Sequence, residues 1–315
     1  MVRLQIITTT TGIDKYAKSA GMEAVLITLS ALPKFHPNPS IGANSWTGEM
    51  PDKGHRWIMR NFERVRARLA KKDITISGVR SAEAHQDGCS HVHVMAWANP
   101  TQIEAIIQEF KKTKGWKKEP GAQFVIIKNN ETLGKKAATA ASYVLKYILK
   151  TLTTTGTTTD ADRDDAWRST WGIRGVQFFG IPTLDSWRTL RAAKATDIIT
   201  ATPLIAAAWA AARGGRYAAF LEMDGGLGCK KKDRPIQIKT QTDDEARTII
   251  KKIFSFETLS IVIARVKATL TTIQKQKVTV IVNYPREPNN KPKNQNKTDL
   301  PPPSTAPPLA IFAFA

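Results

Sequence analysis

Residues 80–97, RSAEAHQDGCSHVHVMAW, constrain the chain more than any other stretch, because two runs of strand-forming residues flank an Asp87-Gly88 turn. They read as a β-hairpin. On its second strand His91 and His93 are two residues apart, so the period-2 alternation of a strand sets both imidazoles on one sheet face. Whether Glu83 joins them depends on register. A two-residue loop of Asp87 and Gly88 sets Glu83 opposite Val92, facing away. A three-residue loop Asp87-Gly88-Cys89, with glycine supplying the left-handed position, sets Glu83 opposite His93 and His85 opposite His91. We take the second as the expectation. Two neutral imidazoles and one carboxylate, with positions left open, suit a divalent ion that also takes a phosphate oxygen, with Mg²⁺ or Mn²⁺ expected. His85 is then either a fourth contact or a residue behind the ligands.

Three further apolar, largely β-branched runs read as strands: 23–30 (EAVLITLS), 73–80 (DITISGVR) and 123–128 (QFVIIK). Between the first two, from about Asp52 to Lys72, Trp57, Met59, Phe62, Val65 and Leu69 recur at helical spacing among many arginines. A second helix follows Pro100, with Thr101 placed to cap it and Gly115 to stop it, and a third runs from Lys135 to Leu152. The sum is an α+β domain with a central, mainly antiparallel sheet flanked by helices. We expect this domain over residues 1–200, a helical extension over 201–230, and a basic region with a Pro/Asn/Lys-rich tail over 231–315. The composition changes after about Gly228.

Lys and Arg outnumber Asp and Glu 47 to 27, a net charge of +20 that draws in polyanions. Nucleic acid is the expected partner, with Arg60, Arg64, Arg66 and Arg68 of the first helix as phosphate contacts. Cys89 and Cys229 are far apart with no CxxC spacing, which argues against a disulfide framework or a thiolate zinc site. The first residues lack the pattern of a secretion signal, and no eighteen uncharged apolar residues run together. A cytoplasmic protein with no membrane partner is the expectation.

Within the third helix, Tyr143 and Tyr147 are four apart and therefore on one face. Such a pair is ordinarily core packing. A phenol with pKa near ~10 becomes a nucleophile at neutral pH only beside a cation, for which Lys146 and the expected metal are the candidates.

Taken in order, ITLSALPKFHPN (27–38), EAHQDGCSHVH (83–93), ASYVLKYILK (141–150) and AWRSTWGIRGVQFFG (166–180) resemble the phage replication gene A protein family. These are HUH endonucleases that start rolling-circle replication. The resemblance covers roughly residues 20–195. It implies that His91 and His93 are metal ligands with Glu83 the third, that Tyr143 and Tyr147 are two nucleophiles, and that His36 is structural. The chain departs from the family pattern at Leu32-Pro33, where a Pro-Ser pair is expected, and at Ser90, where proline usually precedes the histidines. Neither departure removes a reacting group.

The function so implied is site-specific nicking and rejoining of single-stranded origin DNA through a 5′-phosphotyrosine. It works in a host bacterium with the host's helicase and replication machinery. No GxxxxGK[ST] loop is present, so unwinding falls to another protein. The alternatives are a non-cleaving protein that binds origin DNA, or a related HUH transposase or relaxase. Two histidines, an acid and two tyrosines in these positions exceed what binding alone requires.

Overall fold

The computed structural model describes residues 2–40, 42–128, 139–150, 160–198, 201–243, 248–257 and 276–285. The chain begins with a helix, α1 (Val2–Ser19), and continues through β1 (Glu23–Ser30), α2 (Pro51–Ala70), β2 (Ser77–Ala84), β3 (Ser90–Ala98), α3 (Ile103–Lys111) and β4 (Ala122–Ile127). Then come α4 (Ala140–Lys150), α5 (Asp160–Trp171), β5 (Val176–Phe179), α6 (Leu184–Ala192), α7 (Ala195–Ile198), α8 (Pro203–Arg213) and α9 (Tyr217–Met223). β1 to β5 form one antiparallel sheet in the order β4-β1-β3-β2-β5. A second, three-stranded sheet follows, with β7 (Thr248–Glu257) between β6 (Ile236–Asp243) and β8 (Gln276–Pro285).

Alternation along the two central strands sorts the core into two layers. Val25, Ile27 and Leu29 of β1 join Val92, Val94 and Ala96 of β3 under α2 and α3. Ala24 and Leu26 join Met95 and Trp97 on the other face, beneath α1, α4, α6, α8 and α9. Both faces are covered, which explains the nearly continuous apolar runs in β1 and β3.

The α+β class and antiparallel sheet agree with the sequence, and several boundaries move. The expected strand at 73–80 starts only at Ser77, because Asp73 takes a left-handed turn (φ 55°) that closes α2. There the Ile74 N–H donates to Leu69 O (3.0 Å) and the Asp73 N–H to Ala70 O (3.2 Å), a Schellman cap with Ile74 and Leu69 both buried. Thr101 does not cap the second expected helix. Asn99 does, its side chain accepting from the Thr101 N–H (3.0 Å), with a 3₁₀ turn over Pro100–Gln102 leading into α3. That helix stops at Lys111, ahead of Gly115. Of the third expected helix, Ala140–Lys150 is α4, while residues 135–138 and 151–152 lie outside the described residues.

α1 has no counterpart in the sequence reading. Four successive threonines, at about 0.7 kcal/mol each, and Gly12, at about 1 kcal/mol, disfavour a helix there. Burial of Ile6, Ile13 and Ala17 overrides this, each large side chain contributing about 1.5–3 kcal/mol. Gly12 also lets α9 approach, since a Cβ at this position would fall 2.6 Å from Tyr217 Cβ.

Two charged clusters tie distant segments together. Glu109 of α3, 1% exposed, accepts from Arg68 Nε (2.9 Å), and its other oxygen meets Lys72 Nζ (2.6 Å) and Lys112 Nζ (2.7 Å). Beyond the compositional break, Arg234 donates to Asp224 O (3.0 Å) and Asp224 Oδ2 (3.3 Å), and the Ile236 N–H donates to Asp224 Oδ1 (3.1 Å). Asp224 is fully buried, and Arg234 and Ile236 are buried beside it, so the chain beyond the compositional break is anchored to the helices at these two residues. The expected helical extension holds α8 and α9, and the three strands of the second sheet lie in the region to which the sequence reading gave no elements. The tail beyond Pro285 lies outside the described residues.

Three outcomes are expected. Hydrogen bonds from Lys112 and Lys72 hold the Glu109 carboxyl down at about 2, against an ordinary value of 4.5. A depressed acid contributes stability above its unfolded value and loses it as pH falls toward the folded one. The stability gap between wild type and Glu109→Gln in urea melts should therefore be constant above about pH 5. It should shrink as pH drops from 4.5 toward 2. A gap that does not change with pH would show that the three cations do not stabilise the ionised form. Separately, Arg234→Met leaves the buried Asp224 carboxylate unpaired and should cost about 3–5 kcal/mol. A chain ending after Gly228 should melt at lower urea than one ending at Gln237, and equal midpoints would place the domain's edge at the compositional break.

Candidate functional site

The sheet face beneath α1 and α4 is apolar at one end and polar at the other. β1 runs Ala24, Leu26, Thr28, Ser30 along this face, and β3 runs Trp97, Met95, His93, His91 beside it. β2 completes it with Val79, Ser81 and Glu83. The same alternation that builds the core thus carries into a polar patch of Thr28, Ser30, Ser81, Glu83, His91 and His93.

The hairpin that holds this patch differs from the expected one by a shift of its loop. Glu83 pairs with His91 and Ser81 with His93, and His85 N–H donates to Cys89 O (2.8 Å). The three-residue loop is therefore Gln86-Asp87-Gly88, with Gly88 at φ 80°. Moving a three-residue loop by one position moves the pairing by two. The partner of Glu83 changes from His93 to His91, and the parity that keeps Glu83 on the histidine face does not.

Hydroxyls on β1 orient both rings. Thr28 Oγ1 lies 3.2 Å from His93 Nδ1, and Ser30 Oγ lies 3.2 Å from His91 Nδ1. With Nδ1 so engaged, Nε2 is the nitrogen left to face the site; in His93 it lies 3.7 Å from Glu83 Oε2. The His91 and His93 ring centroids are 4.7 Å apart, and His85 packs edge-on against His91 at 4.4 Å. His36 continues the row at 5.4 Å from His85 and hydrogen-bonds Asp87 Oδ2 through Nδ1 (2.9 Å). That contact ties the turn after β1 to the hairpin tip.

Desolvation, with the neighbouring imidazoles, keeps the His91, His93 and His85 rings neutral. It pushes His93 down to about 4 and His91 well below the usual histidine value, and it lowers His85 as well. Neutral imidazoles have the lone pair a metal needs. Among the described residues, no three His, Cys, Asp or Glu side chains are drawn close enough together to enclose a metal ion. The donors His91, His93 and Glu83 fit such an ion in chemistry and in the sheet face they share.

α4 packs against β3 and α1 on this same side of the sheet, with Val144 and Ile148 buried in the shared core. Tyr143 is partly buried against that core, and Lys146 is exposed. Tyr147 lies one turn on, and its side chain is outside the described residues. The four arginines expected to bind DNA are elsewhere. They belong to α2, which covers the opposite face of the sheet. Arg68 is held by Glu109, and Arg66 by Glu63 (2.9 Å) and the Phe179 ring (5.6 Å), whereas Arg60 and Arg64 are exposed.

Sequence reasoning missed the hydroxyls of Thr28 and Ser30, the Asp87 partner of His36, and the clasp on the hairpin tip. That clasp is α5, whose Trp167 Nε1 donates to Gly88 O (2.9 Å). A signal for the hydroxyls exists in β1, where the apolar positions Ala24 and Leu26 give way to Thr28 and Ser30. Its meaning appears only once β1 is paired with β3.

Residues 1–154 match the family described as bacteriophage replication gene A protein (GPA). The replication protein of Haemophilus phage HP1 is 31% identical over 260 residues, covering 77% of this chain and 32% of that protein. The replication gene A protein of Escherichia phage P2 is 26% identical over 269 residues, covering 77% and 35%. A probable replication endonuclease from a prophage-like region of Salmonella paratyphi A is 24% identical over 267 residues, covering 74% and 32%. The chain thus spans about a third of the length of these relatives. No solved structure matches it. Through residues 1–154, which hold both the histidine hairpin and the whole of the tyrosine helix α4, the chain belongs to the bacteriophage replication gene A protein family.

Proposed function

We propose that the chain is a metal-dependent single-stranded DNA endonuclease and strand transferase of the HUH class, which initiates rolling-circle replication of a phage genome. The observation that carries this is the neutral pair His91 and His93 with Glu83 on the sheet face that α4, the tyrosine helix, also covers. His91, His93 and Glu83 are the residues that would hold Mg²⁺ or Mn²⁺, and a bound cation supplies positive charge to the scissile phosphate.

The chain's own groups do the rest. A phenolic oxygen, from Tyr143 or Tyr147, attacks phosphorus and loses its proton, while the bond to the 3′ oxygen breaks and that oxygen gains a proton. The products are a 5′-phosphotyrosine and a free 3′-hydroxyl able to prime synthesis. The ester keeps the energy of the broken bond, so a 3′-hydroxyl released in a second cleavage by the other tyrosine can attack it and close a circle. Thr28 and Ser30 hold the pitch of the two imidazoles through Nδ1, and burial keeps the rings unprotonated. Relatives named replication endonucleases support the nuclease reading.

Tyr143→Phe and Tyr147→Phe should each still form a covalent adduct with an origin single strand, and the double variant none. Phenylalanine preserves ring packing, so a lost adduct reports the hydroxyl. Denaturing gels and peptide mapping make the measurement, and a DNA-linked peptide lacking both tyrosines would overturn the mechanism. For the histidines, Thr28→Val with Ser30→Ala should raise the Mn²⁺ concentration needed for half-maximal nicking by about 10–100-fold. Affinity for DNA in EDTA should not change. Nicking that persists unchanged in EDTA would remove the metal from the proposal.

A further inference from the structure

Beside the histidine row a cleft of about 740 Å³ opens between the turn after β1, the tip of the β2–β3 hairpin and the loop joining α3 to β4. His36 and His85 line the side toward the site, and the edge-on contact of His85 with His91 makes the cleft continuous with it. Across from them stand Lys114, Lys117 and Lys118, all exposed. Lys112 is taken up by Glu109, whereas none of these three is in an ion pair with a described residue. The acidic members of the wall are Asp87, already bonded to His36, and Glu119.

The lysine wall is built rather than draped. Gly121 O accepts from the Ser30 N–H (2.9 Å) and Trp116 Nε1 donates to Ser30 O (3.0 Å), anchoring the loop to the end of β1 beside the Ser30–His91 contact. Its two ends meet so closely that a Cβ on Gly121 would fall 1.7 Å from Gly115 O. At the mouth, Asn38 and Gln86 expose side-chain amides, each offering a donor and an acceptor as base edges do.

We propose that this cleft holds one or two unstacked nucleotides of the single strand adjoining the scissile phosphate. Lys114, Lys117 and Lys118 hold the phosphates, and Asn38 and Gln86 read base edges. The volume is that of a small-ligand pocket and fits a nucleotide, not a duplex. Charge supplies affinity here, while the amides supply preference among bases, because phosphate contacts carry no sequence information. The proposal extends the nicking function assigned above, and binding can be tested apart from cleavage.

The experiment uses the full chain in EDTA with fluorescein-labelled short single strands of dT, dA and dC, read by anisotropy across a salt series. Lys114→Gln/Lys117→Gln/Lys118→Gln should weaken binding to all three strands and reduce the slope of log affinity against log salt by about 2, at about 0.7 per lost contact. Lys230→Gln/Lys231→Gln/Lys232→Gln removes the same charge elsewhere and should change the slope by less. Asn38→Ala/Gln86→Ala should keep the slope and level the differences among the strands. An unchanged slope in the first variant, an equal change in the second, or an undiminished base preference in the third would each overturn the cleft assignment. Nicking of origin DNA is scored separately on the wild type. Cleft variants that behave as stated in a chain that never nicks would sink the endonuclease reading alone. Normal nicking with unaltered binding in the cleft variants would sink the cleft alone.

Discussion

The pairing of β1 with β3 is the interaction on which the rest of the molecule depends. Eight successive residue pairs join the two strands from Glu23↔Ala98 to Ser30↔His91. Because side chains alternate, this one ladder assigns Val25, Ile27, Val92 and Val94 to one layer, and Leu26, Trp97, Thr28 and His93 to the other. The site is therefore a continuation of the core. Its imidazoles inherit the core's low polarity, which lowers their proton affinity, and they gain the hydroxyls of β1 because the ladder delivers them. A slip of one residue in this ladder would exchange the layers and dismantle core and site together.

Much of the hairpin was legible in the sequence because its logic is local. His91, His93 and Glu83 share a face in any register of the right parity, so an error of one residue in placing the loop did no damage to the assignment. Beta-branched runs likewise located β1, β3 and β4. What escaped was decided by distant partners. α1 is a poor helix by composition and forms because α9 and the sheet bury it. The later start of β2, at Ser77 rather than Asp73, follows from how α2 is capped. Arg68 and Arg66 look like any basic helix face until Glu109 and Glu63 are placed beside them, and Asp224 reveals the reach of the domain past Gly228 only through Arg234.

Charge is consequently a poorer guide to the site than it first appears. A net +20 points to nucleic acid without saying where it lies. Part of the positive charge is spent inside the fold, on Glu109, Glu63 and Asp224. The lysines beside the histidine row lie in an irregular loop with no periodicity to advertise it, and their relevance comes from the neighbouring hairpin alone.

α1 packs against α9, and the two are separated by almost the whole described helical chain. During synthesis α1 leaves the ribosome well before α9, whose Tyr217 follows after roughly 200 residues, which at about 5–20 residues per second is roughly 10–40 s. For that interval Ile6, Ile13 and Ala17 have no completed surface to bury against. The hairpin with its histidines can form early from contiguous residues, whereas the layer that covers it waits for α9. The histidine face of the sheet is thus assembled before it is enclosed.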